Sequence, residues 1–271
     1  MFDGDAPGPW MHKLTSDQLT APDGGWVAVG EDSRIGPGRA EGRCGEAEWS
    51  LRFATLEPEL RHLRPDWLYR APLPRTKLTS PAPAARFDGR LTLPGGERIE
   101  LRDWPGMVGH NWGAEHAERW IWLHGIAFAE QPEAWLDVAL GRLRVAGRMT
   151  PWVANGALFI GGRLHRVGGL GARGLHVDER PDGARMKLVG RGGLALDAHV
   201  RVPDGAAAGW RYADPDGGEH DVVNCSIAAL EIDAHLPGAE RVALRTAHGC
   251  AYELGMRERD HGVTLAPFGD G

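Results

Sequence analysis

Leu194–Val202 reads LALDAHVRV, and this stretch indicates the fold of the chain. Apolar residues occupy every second position, and the positions between them include Asp197, His199 and Arg201. This alternation is typical of an antiparallel strand with one buried face and one solvated face. A Pro-Asp-Gly turn signal follows directly at 203–205. The stretch therefore predicts a strand that ends in a tight turn.

Similar runs recur along the chain between further turn signals. Pro-Asp-Gly occurs four times, beginning at Pro22, Pro181, Pro203 and Pro215, and its proline and glycine favour the backbone angles of tight turns. No long segment shows a clean 3.6-residue period. Many short strands separated by turns predict an all-β sandwich or barrel. The alternating runs are Glu48–Leu56, Gly89–Leu93, Ala134–Arg144, Ala157–Val167, Ala184–Val189, Asp221–Ala234 and Ala251–Arg257.

The composition excludes several classes of protein. The chain has 271 residues, of which 42% are apolar and 25% charged, as expected for an ordered protein with two domains or one large β architecture. A net charge of −6 argues against a surface that binds nucleic acid. No stretch approaches the roughly 18 apolar residues of a membrane-spanning helix, so we expect no integral membrane segment.

The N-terminus and the cysteines bear on the cellular compartment. The acidic segment Met1–Asp5 is not followed by an apolar run, so we expect no secretory signal. Cys44, Cys225 and Cys250 are odd in number and contain no C-x-x-C pair, which favours reduced thiols over a Cys225–Cys250 disulfide. We therefore expect a cytoplasmic protein.

The segment Ala71–Ala85 is rich in proline. Pro72, Pro74, Pro81 and Pro83 keep it extended. We expect a long surface linker, and the alternative is a lid over the mouth of a barrel.

Tryptophan is concentrated in the middle of the chain. Six of the eleven tryptophans lie between Trp104 and Trp152. If Arg119–Phe128 is a strand, Trp120, Trp122 and His124 share one face and aliphatic residues occupy the other. We expect the Trp/His face to line a barrel lumen and the aliphatic face to meet a neighbouring domain. The alternative is that the tryptophans are ordinary core residues.

His110, Glu115 and His116 are the candidate catalytic residues, on a loop before that strand. A histidine titrates near neutral pH and a glutamate in an apolar pocket is favoured in its acid form, so each can donate or accept a proton. The alternatives are a structural role for His110 and a solvated pair for Glu115 and His116. Together with His124 these residues match no metal-binding spacing, so we predict no metal.

Further residues are predicted to contact the substrate. Asp137 faces either a lumen or water, and water is favoured. Asn224 is either a polar contact inside an apolar barrel or a polar residue at a strand end. The full predicted binding set is Asn111, Trp112, Trp120, Trp122, His124, Trp135, Asp137 and Asn224.

His110-Asn111-Trp112-Gly113, followed by Trp120-Ile121-Trp122, resembles the motif of the carotenoid 1,2-hydratase (hydroxyneurosporene synthase) and AttH-type family. That family is similar to tocopherol cyclases and some fungal Diels–Alderases. The resemblance implies two packed lipocalin-like β-barrels, a pocket for hydrophobic molecules and no cofactor. We place the N-terminal barrel at 1–128 and the C-terminal barrel at 129–271.

The favoured function is cofactor-independent acid–base catalysis on a hydrophobic polyene, terpenoid or polyketide, by hydration, isomerisation or cyclisation. The alternative is a lipocalin-like carrier that binds an apolar molecule without chemistry. Both need the same apolar cavity, so the sequence leaves the choice open. The expected partner is a hydrophobic small molecule, and the expected assembly is a monomer or homodimer.

Overall fold

The computed structural model describes residues 1–6, 8–13, 16, 18–55, 57–169, 171–215, 217–238 and 241–266. Within these ranges the chain forms antiparallel strands and two short 3-10 helices, Asp66–Tyr69 and Arg191–Gly193, and no α-helix. No helix among these residues is long and apolar enough to cross a membrane. The strands are β1 Leu19–Thr20, β2 Val27–Val29, β3 Ser33–Gly36, β4 Arg39–Cys44, β5 Ala47–Ala54, β6 Leu60–Arg61, β7 Thr76–Thr92, β8 Arg98–Gly113, β9 Arg119–Gly125, β10 Trp135–Arg142, β11 Arg144–Val145, β12 Arg148–Met149, β13 Val153–Ile160, β14 Arg163–Gly168, β15 His176–Arg180, β16 Gly183–Val189, β17 Ala195–Arg201, β18 Ala208–Ala213, β19 Glu219–His235 and β20 Arg241–Met256.

The chain divides into two compact units. The larger unit comprises Met1–Trp10, Glu59–Ser80 and Gly109–Gly271, and the smaller unit comprises Met11–Pro58 and Pro81–Val108. Residue 128, where the sequence analysis divided the chain, lies inside the larger unit, three residues after β9. The division into barrels at 1–128 and 129–271 stays a prediction about folding domains.

The larger unit is built on a curled antiparallel sheet. Its strands follow the order β14-β13-β10-β9-β20-β19-β17-β16-β15, and a single bridge between Val167 and Gly190 joins the β14 side to the β16 side. Eight strands, from β14 to β16, thus form a barrel-like meander, here called the barrel. This confirms the predicted all-β class, and the stretch that opened the sequence analysis is its strand β17.

Aliphatic side chains fill the interior of the barrel. On β9, Ile121 and Leu123 are fully buried in this core. They pack with residues from the other strands, which exclude water from the interior and contribute most of the hydrophobic stabilisation. Core members include Leu136, Val138, Leu140, Leu158, Leu196, Val200, Leu230, Ile232, Leu244 and Leu254.

The smaller unit contains β1–β5 together with parts of β7 and β8. Its core is small: Phe53 packs against Trp26 and Phe87, with ring centroids 6.1 and 5.2 Å apart. Gly89 of β7 has a φ of 139°, and a Cβ there would lie 2.2 Å from the Ser50 carbonyl oxygen. Only glycine allows β7 to approach β5 this closely.

The proline-rich segment is mostly a strand, so the expected linker is wrong from Thr76 onward. In β7, residues up to Ser80 pair with β6 and residues from Arg86 onward pair with β5. Pro81 and Pro83 lie between these two paired stretches. Neither ladder therefore needs the backbone N–H that a proline lacks. At the start of β7, the Lys77 ammonium is buried and donates hydrogen bonds to the carbonyl oxygens of Leu68, Ala71 and Pro74. This lysine fixes the loop that leads into β7.

Candidate functional site

Trp120, Trp122 and His124 lie on the outer face of the barrel, opposite Ile121 and Leu123. The expectation that the Trp/His face lines the lumen is therefore wrong. Both faces of β9 are apolar, so alternation alone did not say which face points inward, and the interior is filled by the aliphatic face. Trp122 is only partly buried, whereas Trp120 and His124 are buried.

Asp137 of β10 is the centre of a buried polar network on this outer face. It is 0% exposed, so the expectation that it faces water is wrong. Its carboxylate accepts hydrogen bonds from Trp122 Nε1 at 3.1 Å and from the Ser80 hydroxyl. His62 Nε2 lies 3.1 Å from its Oδ1. The segment Glu59–Ser80 therefore covers β10 through polar contacts.

The charge state of Asp137 follows from these neighbours. Burial alone raises the pKa of the carboxyl, but the charges and hydrogen bonds of His62, His124 and Ser80 outweigh burial and lower the pKa from 3.8 to about 2. Asp137 is therefore ionised at neutral pH. Its contacts join β9 and β10 to the covering segment, which is a structural role.

Glu253 of β20 is a second carboxyl on the same outer face. It stands opposite Trp122 in the β9–β20 ladder. Trp120 Nε1 donates to its Oε1 at 2.8 Å, and Asn224 Nδ2 donates to its Oε2 at 3.2 Å. Burial raises the pKa of Glu253, and the two N–H donors and the charge of His116 oppose that rise without cancelling it. Glu253 is thus a partly exposed carboxyl with a raised pKa, bonded to the indole N–H of Trp120 and opposite Trp122 in the ladder.

Gly255 determines how Trp120 lies. It is the partner of Trp120 in the ladder, and a Cβ on Gly255 would lie 2.2–2.3 Å from three atoms of the indole ring. The ring therefore crosses directly over the backbone of β20. This position directs Nε1 to Glu253, two residues earlier on the same strand.

Asn224 contacts Glu253 on the outer face of the barrel, so of its two predicted positions the one inside an apolar barrel is wrong. The sequence pattern placed Asn224 on the same face as Leu230 and Ile232. The structure has register shifts between Cys225 and Leu230, and a bulge residue exchanges the two faces of a strand. Val223 and Cys225 therefore point inward before the shifts, and Leu230 and Ile232 do so after them.

His116 joins two residues that the sequence analysis did not select. Its Nδ1 lies 2.6 Å from Asp214 Oδ1, which also accepts a hydrogen bond from the His116 backbone N–H at 3.1 Å. Asp214 Oδ2 lies 3.3 Å from His220 Nδ1. Trp120 packs against both imidazoles, with centroids 4.8 Å from His116 and 5.0 Å from His220. Nothing in the spacing of the three residues signals this cluster.

Glu115 and His110 lie apart from these contacts in the described structure. Glu115 is ion-paired with Arg75 at 2.7 Å and with Arg257 at 3.6 Å. His110, which the sequence placed on a loop, belongs to β8 and stacks on Trp112 with centroids 5.1 Å apart. Asn111 and Trp112 are in the same strand and are exposed, and the buried Trp135 stacks on Phe159.

The fold resembles those of solved structures. The chain aligns with CghA at a TM-score of 0.55 and 13% identity, over 81% of this chain and 64% of that one. It aligns with kievitone hydratase from Nectria haematococca at a TM-score of 0.50 and 11% identity, over 85% and 70%. At these identities the likeness shows a shared fold, in agreement with the predicted lipocalin-like class.

The sequence itself has a more similar relative. An uncharacterized protein of Mycobacterium tuberculosis is 28% identical over 239 residues, which cover 83% of this chain and 65% of the relative. The chain thus spans slightly less than two thirds of the length of that relative. No protein-family profile matches the chain.

Proposed function

We propose that this chain catalyses an acid–base reaction on a hydrophobic small molecule, with Glu253 as the proton donor, Trp120 as the residue that positions this carboxyl and Trp122 as the aromatic surface beside it. The reaction is a hydration, isomerisation or cyclisation that uses the chain's own side chains for proton transfer. The observation that carries the proposal is the position of the Glu253 carboxyl. It is held by the N–H groups of Trp120 and Asn224, opposite a partly exposed Trp122.

The two carboxyls on this face have opposite properties. Asp137 is kept ionised by His62, His124 and Ser80, whereas burial favours the protonated form of Glu253. Such a separation of pKa values is characteristic of groups with different roles in acid–base catalysis. Asp137 fixes Trp122 through its indole N–H, and the raised pKa of Glu253 favours its role as the acid.

The proposed step moves the Glu253 proton to a carbon of a substrate double bond, which leaves a carbocation and a carboxylate. The partly exposed indole face of Trp122 stabilises the cation by cation–π attraction. Water then adds to the cation and loses a proton, or a neighbouring carbon loses a proton, or an internal double bond closes a ring and the resulting cation loses a proton. The released proton restores the acid form of Glu253. Hydration is also the reaction in the name of kievitone hydratase.

The predicted carrier is the alternative function. A lipocalin-like carrier that encloses its ligand needs an open lumen, and the barrel of the larger unit is filled by its aliphatic core. The proposal assigns no proton transfer to His110 or Glu115, whose catalytic roles stay predictions. The cytoplasmic location and the monomeric or dimeric state also stay predictions.

The test is to incubate the chain in D2O with a panel of polyenes, terpenoids and polyketides, and to measure deuterium incorporation and added water by mass spectrometry. Glu253→Gln should abolish turnover and retain ligand binding. Binding is measured by the quenching of tryptophan emission. Glu231→Gln, which removes a carboxylate paired with Arg201 on the neighbouring strand, is the matched control and should retain turnover. Turnover should also fall as the pH rises through the raised pKa of Glu253.

Two outcomes oppose the proposal. Wild-type turnover in Glu253→Gln would exclude this residue as the donor. If several compounds bind to both proteins and neither protein incorporates deuterium or water, the carrier function is favoured instead.

A further inference from the structure

We propose that His116, Asp214 and His220 form a binding site for a divalent transition-metal ion, with Zn²⁺ as the preferred ion. Each residue offers one donor atom, and the three atoms lie within 4.8 Å of one another. The site is independent of the proposed reaction, because proton donation by Glu253 requires no metal.

The donor set fits such an ion chemically. Two imidazoles and one carboxylate are the ligands that zinc and iron sites use with three protein donors, which leaves a further position for water. Hard ions such as Mg²⁺ and Ca²⁺ prefer oxygen ligands, so two imidazole nitrogens disfavour them.

Unpaired polar atoms are the second observation. His220 is 0% exposed, and neither of its ring nitrogens has a hydrogen-bond partner in the described structure. Oδ2 of the buried Asp214 also lacks a hydrogen bond there. His220 Nδ1 and Asp214 Oδ2 lie 3.3 Å apart, but their geometry is not that of a hydrogen bond. A buried polar group without a hydrogen bond costs about 1–3 kcal/mol, so this cluster requires an explanation. A metal ion between the imidazole and the carboxylate satisfies both groups.

The surrounding charges permit a cation. Arg257 is a positive side chain near His220. Its guanidinium is itself paired with Glu118 at 2.9 Å and with Glu115 at 3.6 Å. The carboxylate of Asp214 therefore remains to balance a bound ion.

A bound ion joins segments that are distant in the sequence. His116 lies on the loop before β9, Asp214 is 98 positions further along between β18 and β19, and His220 is on β19. Trp120 packs against both imidazoles. The ion therefore fixes the surface on which the indole rests.

The experiment measures metal binding directly on the full chain. After removal of metal with EDTA and exchange into chelator-free buffer, Zn²⁺ is titrated against a chromophoric chelator, and bound zinc is counted by mass spectrometry. We expect one equivalent, and a rise in melting temperature with added Zn²⁺. His220→Ala and Asp214→Asn should weaken binding by roughly a hundredfold or more, since loss of even an outer-shell partner costs 10–100-fold. His235→Ala removes an exposed imidazole from the same strand and should bind normally.

A second measurement does not depend on the folding of these variants. Because Trp120 lies 4.8 Å from His116, Co²⁺ bound at the site should quench tryptophan emission, and Trp120→Phe should remove most of that quenching. Failure of the wild-type chain to bind Zn²⁺ or Co²⁺ at millimolar concentration would overturn the proposal. Binding that is equal in wild type and in folded His220→Ala would overturn it as well.

Discussion

Replacing Asp137 by Asn tests the buried network that supports Trp122. The substitution keeps the size of the side chain and removes its negative charge. The amide oxygen still accepts the Trp122 N–H, but the carboxylate that lies 3.1 Å from the buried His62 imidazole is replaced by a neutral amide. We therefore expect the variant to fold with lower stability.

The magnitude follows from the pKa of the carboxyl. Folding lowers the pKa of Asp137 from 3.8 to about 2, and each factor of ten in a protonation equilibrium corresponds to about 1.4 kcal/mol. The ionised carboxylate therefore stabilises the fold by about 2.5 kcal/mol at pH 7. We expect Asp137→Asn to lower the free energy of unfolding by about this amount.

The pH dependence gives the sign of the effect. Because the pKa is lower in the folded protein, the stabilisation is complete above the unfolded value of 3.8 and disappears as the pH falls toward 2. About half of it should be lost by pH 3. Urea unfolding, followed by circular dichroism and tryptophan emission, measures the free energy of unfolding of wild type and variant across this range.

Asp197→Asn is the matched control, because Asp197 is an exposed carboxylate on β17 of the same barrel. It should change the stability by less than about 0.5 kcal/mol. The reasoning is refuted if Asp137→Asn is as stable as this control at pH 7. It is also refuted if the difference between wild type and Asp137→Asn stays constant down to pH 3.

Three further perturbations test other contacts. Glu253→Gln should leave the free energy of unfolding at pH 7 unchanged or raise it, because ionisation of a carboxyl with a raised pKa destabilises the fold as the pH rises. A decrease of more than about 1 kcal/mol in urea unfolding contradicts this. Gly255→Ala should lower the free energy of unfolding by about 1–3 kcal/mol or more, because the new Cβ collides with the Trp120 ring. The tryptophan emission should shift as well, and an unchanged emission spectrum contradicts this. Lys77→Met should lower stability by about 2–4 kcal/mol, because three carbonyl oxygens lose their donor, whereas the exposed Lys187→Met should be neutral in thermal unfolding.

Much of the fold could be predicted from local pattern. The alternation in Leu194–Val202 predicted β17, and Leu196, Ala198 and Val200 do point into the core. The turn signal at Pro203 follows β17, as expected from the alternation before it, and the signal at Pro181 lies between β15 and β16. These features depend on residues that are close together in the sequence. The periodicity of the sequence was therefore enough to predict them.

The orientation of β9 could not be predicted in this way. Its two faces are equally apolar, and their direction depends on the strands on either side, of which β20 lies more than a hundred residues away. Asn224 shows a second limit, since the register shifts after Cys225 exchange the faces of β19 without any signal in the alternation.

The candidate site was predicted in part. Trp120 and Trp122 were selected because tryptophan is concentrated around them, and His116 because it precedes the strand. Glu253, Asp214 and His220 were missed, since only pairing between distant strands brings them to Trp120. The carboxylates, the indole and the imidazoles of the site come from separate segments of the chain. They therefore form no motif that a single sequence could show.

The pairing of β9 with β20 has a consequence for synthesis on the ribosome. β9 begins at Arg119 and β20 at Arg241, so at 5–20 residues per second the first strand waits roughly 6–25 s for its partner. During that interval one edge of β9 has no β20 to pair with, and unpaired strand edges recruit other chains. A nascent chain that stops before β20 lacks both this closing strand and Glu253. Premature termination before codon 241 therefore yields an aggregation-prone product that also lacks Glu253, the proposed proton donor.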